Sequence, residues 1–152
     1  LHGVYTKAQI QAALGLSTLA RKSPSREGVE RLKDIKLEAM YVDIIKKREE
    51  GSMTAYKDYA QNREFFHWET QNRVSEGSRE AEAYRNGENN MLLFVRQQVE
   101  HPDFGCRMGF TYLGQVTMNS IEGSKPMQIV WHLNTPMSEA TYAFASQYKA
   151  IG

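Results

Sequence analysis

A single cysteine, Cys106, in a chain of 152 residues removes two architectures at once. No intramolecular disulfide can form, and no cysteine-rich zinc site can be assembled. The four histidines, His2, His67, His101 and His132, do not sit at metal-ligand spacing. No apolar run approaches a membrane span, and the first residues lack the pattern of a signal peptide. A reduced, cytoplasmic setting away from membranes is therefore the expectation. The chain starts at Leu1 rather than at a methionine, which reads as a segment of something longer. Also missing are a glycine-rich phosphate loop, a Walker-type sequence and a nucleophile elbow. Cys106 has no evident base beside it. With no catalytic set to assemble, the chain is expected to bind rather than to catalyse, and to need no cofactor. Charge of one sign is lacking too. The net charge is +1, so any contact with nucleic acid rests on local clusters and not on the total.

What is present suits one globular α+β domain over residues 1–152, a curved β-sheet or small barrel with flanking helices. Thr6, Gln9 and Gly15 read as the cap, capping box and stop of a short helix whose apolar face carries Ile10 and Leu14. The polar stretch 23–28 reads as loop. Strand character follows at 37–45, 91–95, 110–118 and 127–133, with a turn at Gly123-Ser124-Lys125-Pro126. The run 91–95 is apolar throughout, as in a strand buried on both faces. Ser138 caps a last helix with Ala140, Phe144 and Tyr148 at helical spacing. The polar segment from Arg73 to Asn90 reads as a long loop, and long loops in compact domains are often functional.

The densest chemistry lies at 56–71, where Tyr56, Tyr59, Phe65, Phe66 and Trp68 are interleaved with Asp58, Glu64 and Glu69. Such rings are core residues about as often as they are a site. The same mixture also meets the needs of an extruded base, because aromatic faces stack on the heterocycle and a carboxylate accepts from an exocyclic amine. Stacking contributes about 1–3 kcal/mol per base. Extrusion costs a few kcal/mol, so one sandwich and one edge contact offset it.

Residues through the chain then carry a resemblance. Tyr5-Thr6, Ala13-Leu14-Gly15, Tyr56-x-Asp58-Tyr59, Phe66-His67-Trp68-Glu69-Thr70-Gln71, Leu92-Leu93-Phe94-Val95-Arg96, Tyr112-Leu113-Gly114 and Gly123-Ser124-Lys125-Pro126-Met127 occur in order. The chain resembles the C-terminal domain, formerly of unknown function, of restriction helicases that carry a phospholipase-D-type nuclease. That resemblance implies an SRA-like, PUA-like fold. It implies a reader of 5-methylcytosine or 5-hydroxymethylcytosine in duplex DNA for a modification-dependent, type IV restriction system in bacterial host defence. Nuclease and helicase domains of a parent protein would be its partners. SRA domains sandwich the flipped base between two tyrosines flanking an aromatic–acidic stretch, and Tyr56 and Trp68 have that separation here. The acid that meets the cytosine edge falls on Tyr59, so either Asp58 or Glu69 would supply the carboxylate.

Backbone contacts are assigned by charge. Lys46 and Lys47 follow a strand, where a solvated strand end is the more ordinary role. Arg73 and Arg79 lie in the polar segment, and Ser124-Lys125 occupies a turn whose N–H groups add to the lysine charge. Two rival functions stay open: a DNA-binding module without modification selectivity, and a protein-interaction module of a nuclease-helicase.

Overall fold

A computed structural model describes residues 3–14, 29–32, 35–44, 58–70, 77, 79–97, 106, 108–123 and 127–146. Among them are eight strands and three helices. In chain order these are β1 (Val4–Tyr5), α1 (Lys7–Ala13), β2 (Val29–Leu32), β3 (Leu37–Asp43), β4 (Tyr59–Ala60) and β5 (Phe65–Glu69). Then come α2 (Arg79–Asn86), β6 (Asn90–Arg96), β7 (Phe110–Gly123), β8 (Met127–Leu133) and α3 (Glu139–Ala145). The result is a mixed α/β fold around one sheet ordered β2-β3-β6-β7-β8-β5-β4, with β1 added beside the start of β7. The described strands form an open path from β2 to β4 rather than a closed barrel. No helix of the described residues is long and apolar enough to cross a membrane.

Two features bend the sheet. The strand β7 has 14 residues and bridges both halves, pairing β6 through Thr111–Val116 and β8 through Val116–Gly123. Its pairing with β6 slips between Leu93 and Phe94, opposite Gly114, whose φ is 88°. That backbone is strained for any residue with a Cβ, so glycine is the residue that permits the bulge. A second slip, between Met118 and Ser120, re-registers β7 on β8. Among the described strands, β3 and β6 are the pair that runs parallel, and both are buried through most of their length.

Side chains alternate across the sheet with period two. One face carries Met40 and Val42 of β3, Met91, Leu93 and Val95 of β6, Ile129, Trp131 and Leu133 of β8, and Phe66 and Trp68 of β5, all in one buried cluster. The helices α2 and α3 contribute Tyr84 and Ala145 to it. The opposite face holds a smaller cluster of Ala39, Tyr41, Phe94 and Phe110 under Ile10 of α1.

The helix starting after Thr6 has the expected reciprocal capping box with Gln9, and Ser138 caps α3 through the Thr141 N–H. Two expectations change. Residues 79–86 of the presumed long loop form α2, whose described side chains include buried Ala81 and Tyr84, a sparse stripe to read against its charged neighbours. In α3 the buried residues are Thr141 and Ala145, Phe144 packs partly buried against the main cluster, and Ala140 is exposed. The stretch 23–28, Gly15 and Tyr148 lie outside the described residues.

Candidate functional site

The chemistry of the molecule converges on a carboxylate that the strand parity turns inward. Glu38 shares its face of β3 with Met40 and Val42, and it is 1% exposed. An isolated buried carboxylate is costly, so it needs charge and hydrogen-bond partners. The register of the β2–β3 hairpin supplies the first, because Arg31 stands directly opposite Glu38. Its Nε lies 2.7 Å from Glu38 Oε1. The second comes from α2, where the Tyr84 hydroxyl donates to the same oxygen at 3.4 Å. The guanidinium Nη2 in turn donates to the Tyr84 hydroxyl oxygen at 3.5 Å. Burial, and then the Glu38 charge, push the Tyr84 hydroxyl well above the usual phenol range, with Arg31 opposing in part. Tyr84 is therefore a neutral donor throughout the physiological range.

Two tryptophan rings pack against the tyrosine of this triad. Tyr84 stands edge-on to Trp68 at 6.0 Å and to Trp131 at 6.0 Å, and the two tryptophans are 6.1 Å apart. A cleft of about 610 Å³ opens over the triad between the β2–β3 hairpin and α2. Its charged lining comprises Arg31, Lys36, Arg79, Glu38 and Glu88. A smaller chamber of about 160 Å³ lies beside it, lined by Glu38 and Tyr84 together with Met91, Val116, Met118 and Trp131. The two share Glu38, Ala83, Tyr84 and Asn89, so they meet at the carboxylate. Lys36 closes the hairpin with φ 50°, and its carbonyl accepts from the Asn90 N–H at 2.7 Å, which ties the cleft rim to the start of β6.

Of the side chains singled out from the sequence, Trp68 belongs to this aromatic group and Arg79 to the cleft rim. The others in the described residues go elsewhere. Along β5 the alternation buries Trp68 and sends His67 and Glu69 to the other face. There Tyr59 stacks on His67 at 4.8 Å, and Phe65 lies against His132 at 4.9 Å. Asp58 is buried and accepts from the Glu69 N–H at 2.9 Å, so this carboxylate fastens the backbone where β4 meets β5. Neither Tyr59 nor Glu69 shares a face with Trp68. Tyr56, Lys46, Lys47, Arg73, Ser124 and Lys125 lie outside the described residues. The sequence reading missed Glu38, Arg31, Tyr84 and Trp131. The parity of β3 was the available clue, since it sets one acid among inward-facing apolar residues.

A cationic rim, a buried acceptor and an aromatic chamber together can hold a flat, polar heterocycle that carries a phosphate nearby. Among the described residues no three His, Cys, Asp or Glu side chains are grouped to hold a metal ion. A family described as "Domain of unknown function (DUF3427)" matches residues 1–145. No curated protein matches the chain.

Proposed function

The chain belongs to the DUF3427 family, and for it we propose a reader of duplex DNA that draws a C5-modified cytosine out of the stack and into the Glu38 cleft. The observation that carries this role is the junction of the two cavities at Glu38, a buried acceptor between a cationic rim and an aromatic chamber. An extruded cytosine offers its N4 amine to a carboxylate. A carboxylate accepts several donors at once, so Glu38 can take that amine alongside its protein partners. Met91, Val116 and Met118 give the chamber an apolar wall suited to a C5 methyl group. Arg31, Lys36 and Arg79 suit the flanking phosphates. The resemblance to SRA-like domains of modification-dependent restriction enzymes supports the same role. It extends the proposal to an SRA-like fold within a nuclease-helicase parent acting in bacterial defence.

The base pocket proposed here is Glu38, Tyr84 and Trp131, with Trp68 packed against the Tyr84 and Trp131 rings, in place of a Tyr56–Trp68 sandwich. The test is fluorescence anisotropy with two duplexes that differ only in one 5-methyl group. A methyl contributes about 0.8 kcal/mol by burial, and a fitted pocket raises discrimination to about 10–200-fold. Tighter binding of the methylated duplex by about tenfold is expected. Equal affinity would leave a DNA-binding module without modification selectivity, and no binding to either duplex would remove the DNA-reading role.

A further inference from the structure

The chain leaves α2 through a left-handed turn. Gly87 has φ 61°, its N–H donates to the Tyr84 carbonyl at 3.3 Å, and the Glu88 N–H donates to the Ala83 carbonyl at 3.2 Å. A glycine close of this kind satisfies the last carbonyls of a helix. The Asn90 N–H then donates to the Lys36 carbonyl at 2.7 Å, and Asn90 stands opposite Leu37 as β6 begins. Asn89 is thus held by backbone bonds on both sides, beside the strand that carries Glu38. It is half-buried, and it lines both the 610 Å³ cleft and the 160 Å³ chamber. Of the residues common to the two cavities, Glu38 and Tyr84 are bonded to each other and Ala83 is apolar. The Asn89 amide makes no hydrogen bond with the described residues. An amide carries donors and an acceptor together, and at this junction they are available to a ligand.

We infer that Asn89 is a specificity-determining residue, whose Nδ2 donates to the ring N3 of the bound cytosine while Glu38 accepts from the adjacent N4 amine. The inference rests on the base-reading role proposed above and deepens it by naming the group that meets the ring nitrogen. On cytosine the amine and N3 are neighbours on one edge, a donor beside an acceptor, and a carboxylate beside an amide complements them. Thymine reverses the pattern, with a carbonyl at position 4 and an N–H at position 3. The amide alone does not reject thymine, because it can turn its Oδ1 to that N–H. The carboxylate does reject it, because it then faces the carbonyl oxygen. Glu38 therefore excludes the wrong edge, and Asn89 fixes the right one by its ring nitrogen. The backbone bonds on either side of Asn89 place it before the base arrives, which lowers the cost of ordering it on binding.

The test is fluorescence anisotropy of the wild-type protein and two variants, Asn89→Ala and Asn89→Asp. Each is titrated with a duplex holding one 5-methylcytosine opposite guanine and with the same duplex holding thymine in its place. The cost of extruding each base belongs to the duplex, so it cancels when variants are compared. Asn89→Ala is expected to weaken binding of the methylated duplex about 3–10-fold, the loss of one neutral hydrogen bond. Asn89→Asp leaves only acceptors, which repel the cytosine N3 and suit the thymine N–H. It is expected to weaken the methylated duplex at least as far and to narrow the preference over the thymine duplex about 3–10-fold. General repulsion by the added negative charge weakens both duplexes alike, so the ratio of the two reports the edge. The Asn89 side chain bonds no described residue, so both variants should fold, and cooperative urea unfolding near the wild-type midpoint checks it. Wild-type affinity for the methylated duplex in Asn89→Ala, or an unchanged ratio in Asn89→Asp, overturns the inference and leaves the reader. No binding of either duplex by the wild-type protein overturns the reader and this inference with it.

Discussion

Removing Arg31 isolates the interaction on which the cleft depends. Glu38 has almost no contact with water, while the Arg31 side chain is 31% exposed. Exposed ion pairs contribute about 0–1 kcal/mol. Breaking a fully buried pair costs about 3–5 kcal/mol, because the remaining charge is stranded. This pair is buried at one end and wetted at the other, so Arg31→Ala should cost about 2 kcal/mol, between those two limits. Glu38→Gln keeps the shape and an acceptor for Tyr84, and it frees Arg31 to turn to solvent, so it should cost about 1 kcal/mol. In the Glu38→Gln background the guanidinium no longer meets a charge at position 38, and Arg31→Ala should then cost only about 0.5 kcal/mol. The coupling is the difference, about 1.5 kcal/mol, within the range found for residues in one network. Urea unfolding of the four proteins of the cycle measures it, read from midpoints at constant m-value. Additive costs, with coupling near zero, would refute the claim that Glu38 is held as a charged acceptor by Arg31.

Two further outcomes follow from the same geometry. The Tyr84 hydroxyl is raised above its unfolded value near 10, so its contribution to stability is complete below about pH 10 and is lost as pH rises toward the folded value. Wild-type stability should therefore fall above about pH 10, by up to about 1.4 kcal/mol per pH unit from this group, and Tyr84→Phe should flatten that limb in pH-dependent denaturation; an unchanged slope would contradict the assignment. Gly114→Ala places a Cβ at φ 88° in the β6–β7 bulge and should cost about 1–2 kcal/mol in thermal or urea unfolding, whereas a neutral effect would mean that the bulge tolerates an ordinary residue.

Much of the scaffold was legible because local chemistry and burial agree there. Residues 127–133 alternate cleanly, and β8 occupies that span. Thr6 with Gln9, and Ser138 alone, announce helix starts by the backbone donors they satisfy. The helix α2 was hidden because two inward residues suffice where the sheet already provides the rest of the core. The sequence sets Trp68 beside its neighbours along the chain, whereas a strand separates adjacent side chains onto opposite faces. Its spatial companions, Tyr84 and Trp131, come from elements distant in sequence. Glu38 becomes meaningful only with Arg31 opposite it. That register depends on a hairpin whose first strand, β2, has a four-residue span with no marked apolar pattern.

The most direct measurement is the structure of the protein bound to a duplex with a single 5-methylcytosine. This base is expected to lie outside the helix, with its ring in the chamber beside Tyr84 and Trp131 and its amine on Glu38. A base that stays stacked in the duplex, or one turned out onto the opposite sheet face against Tyr59 and His67, would contradict it.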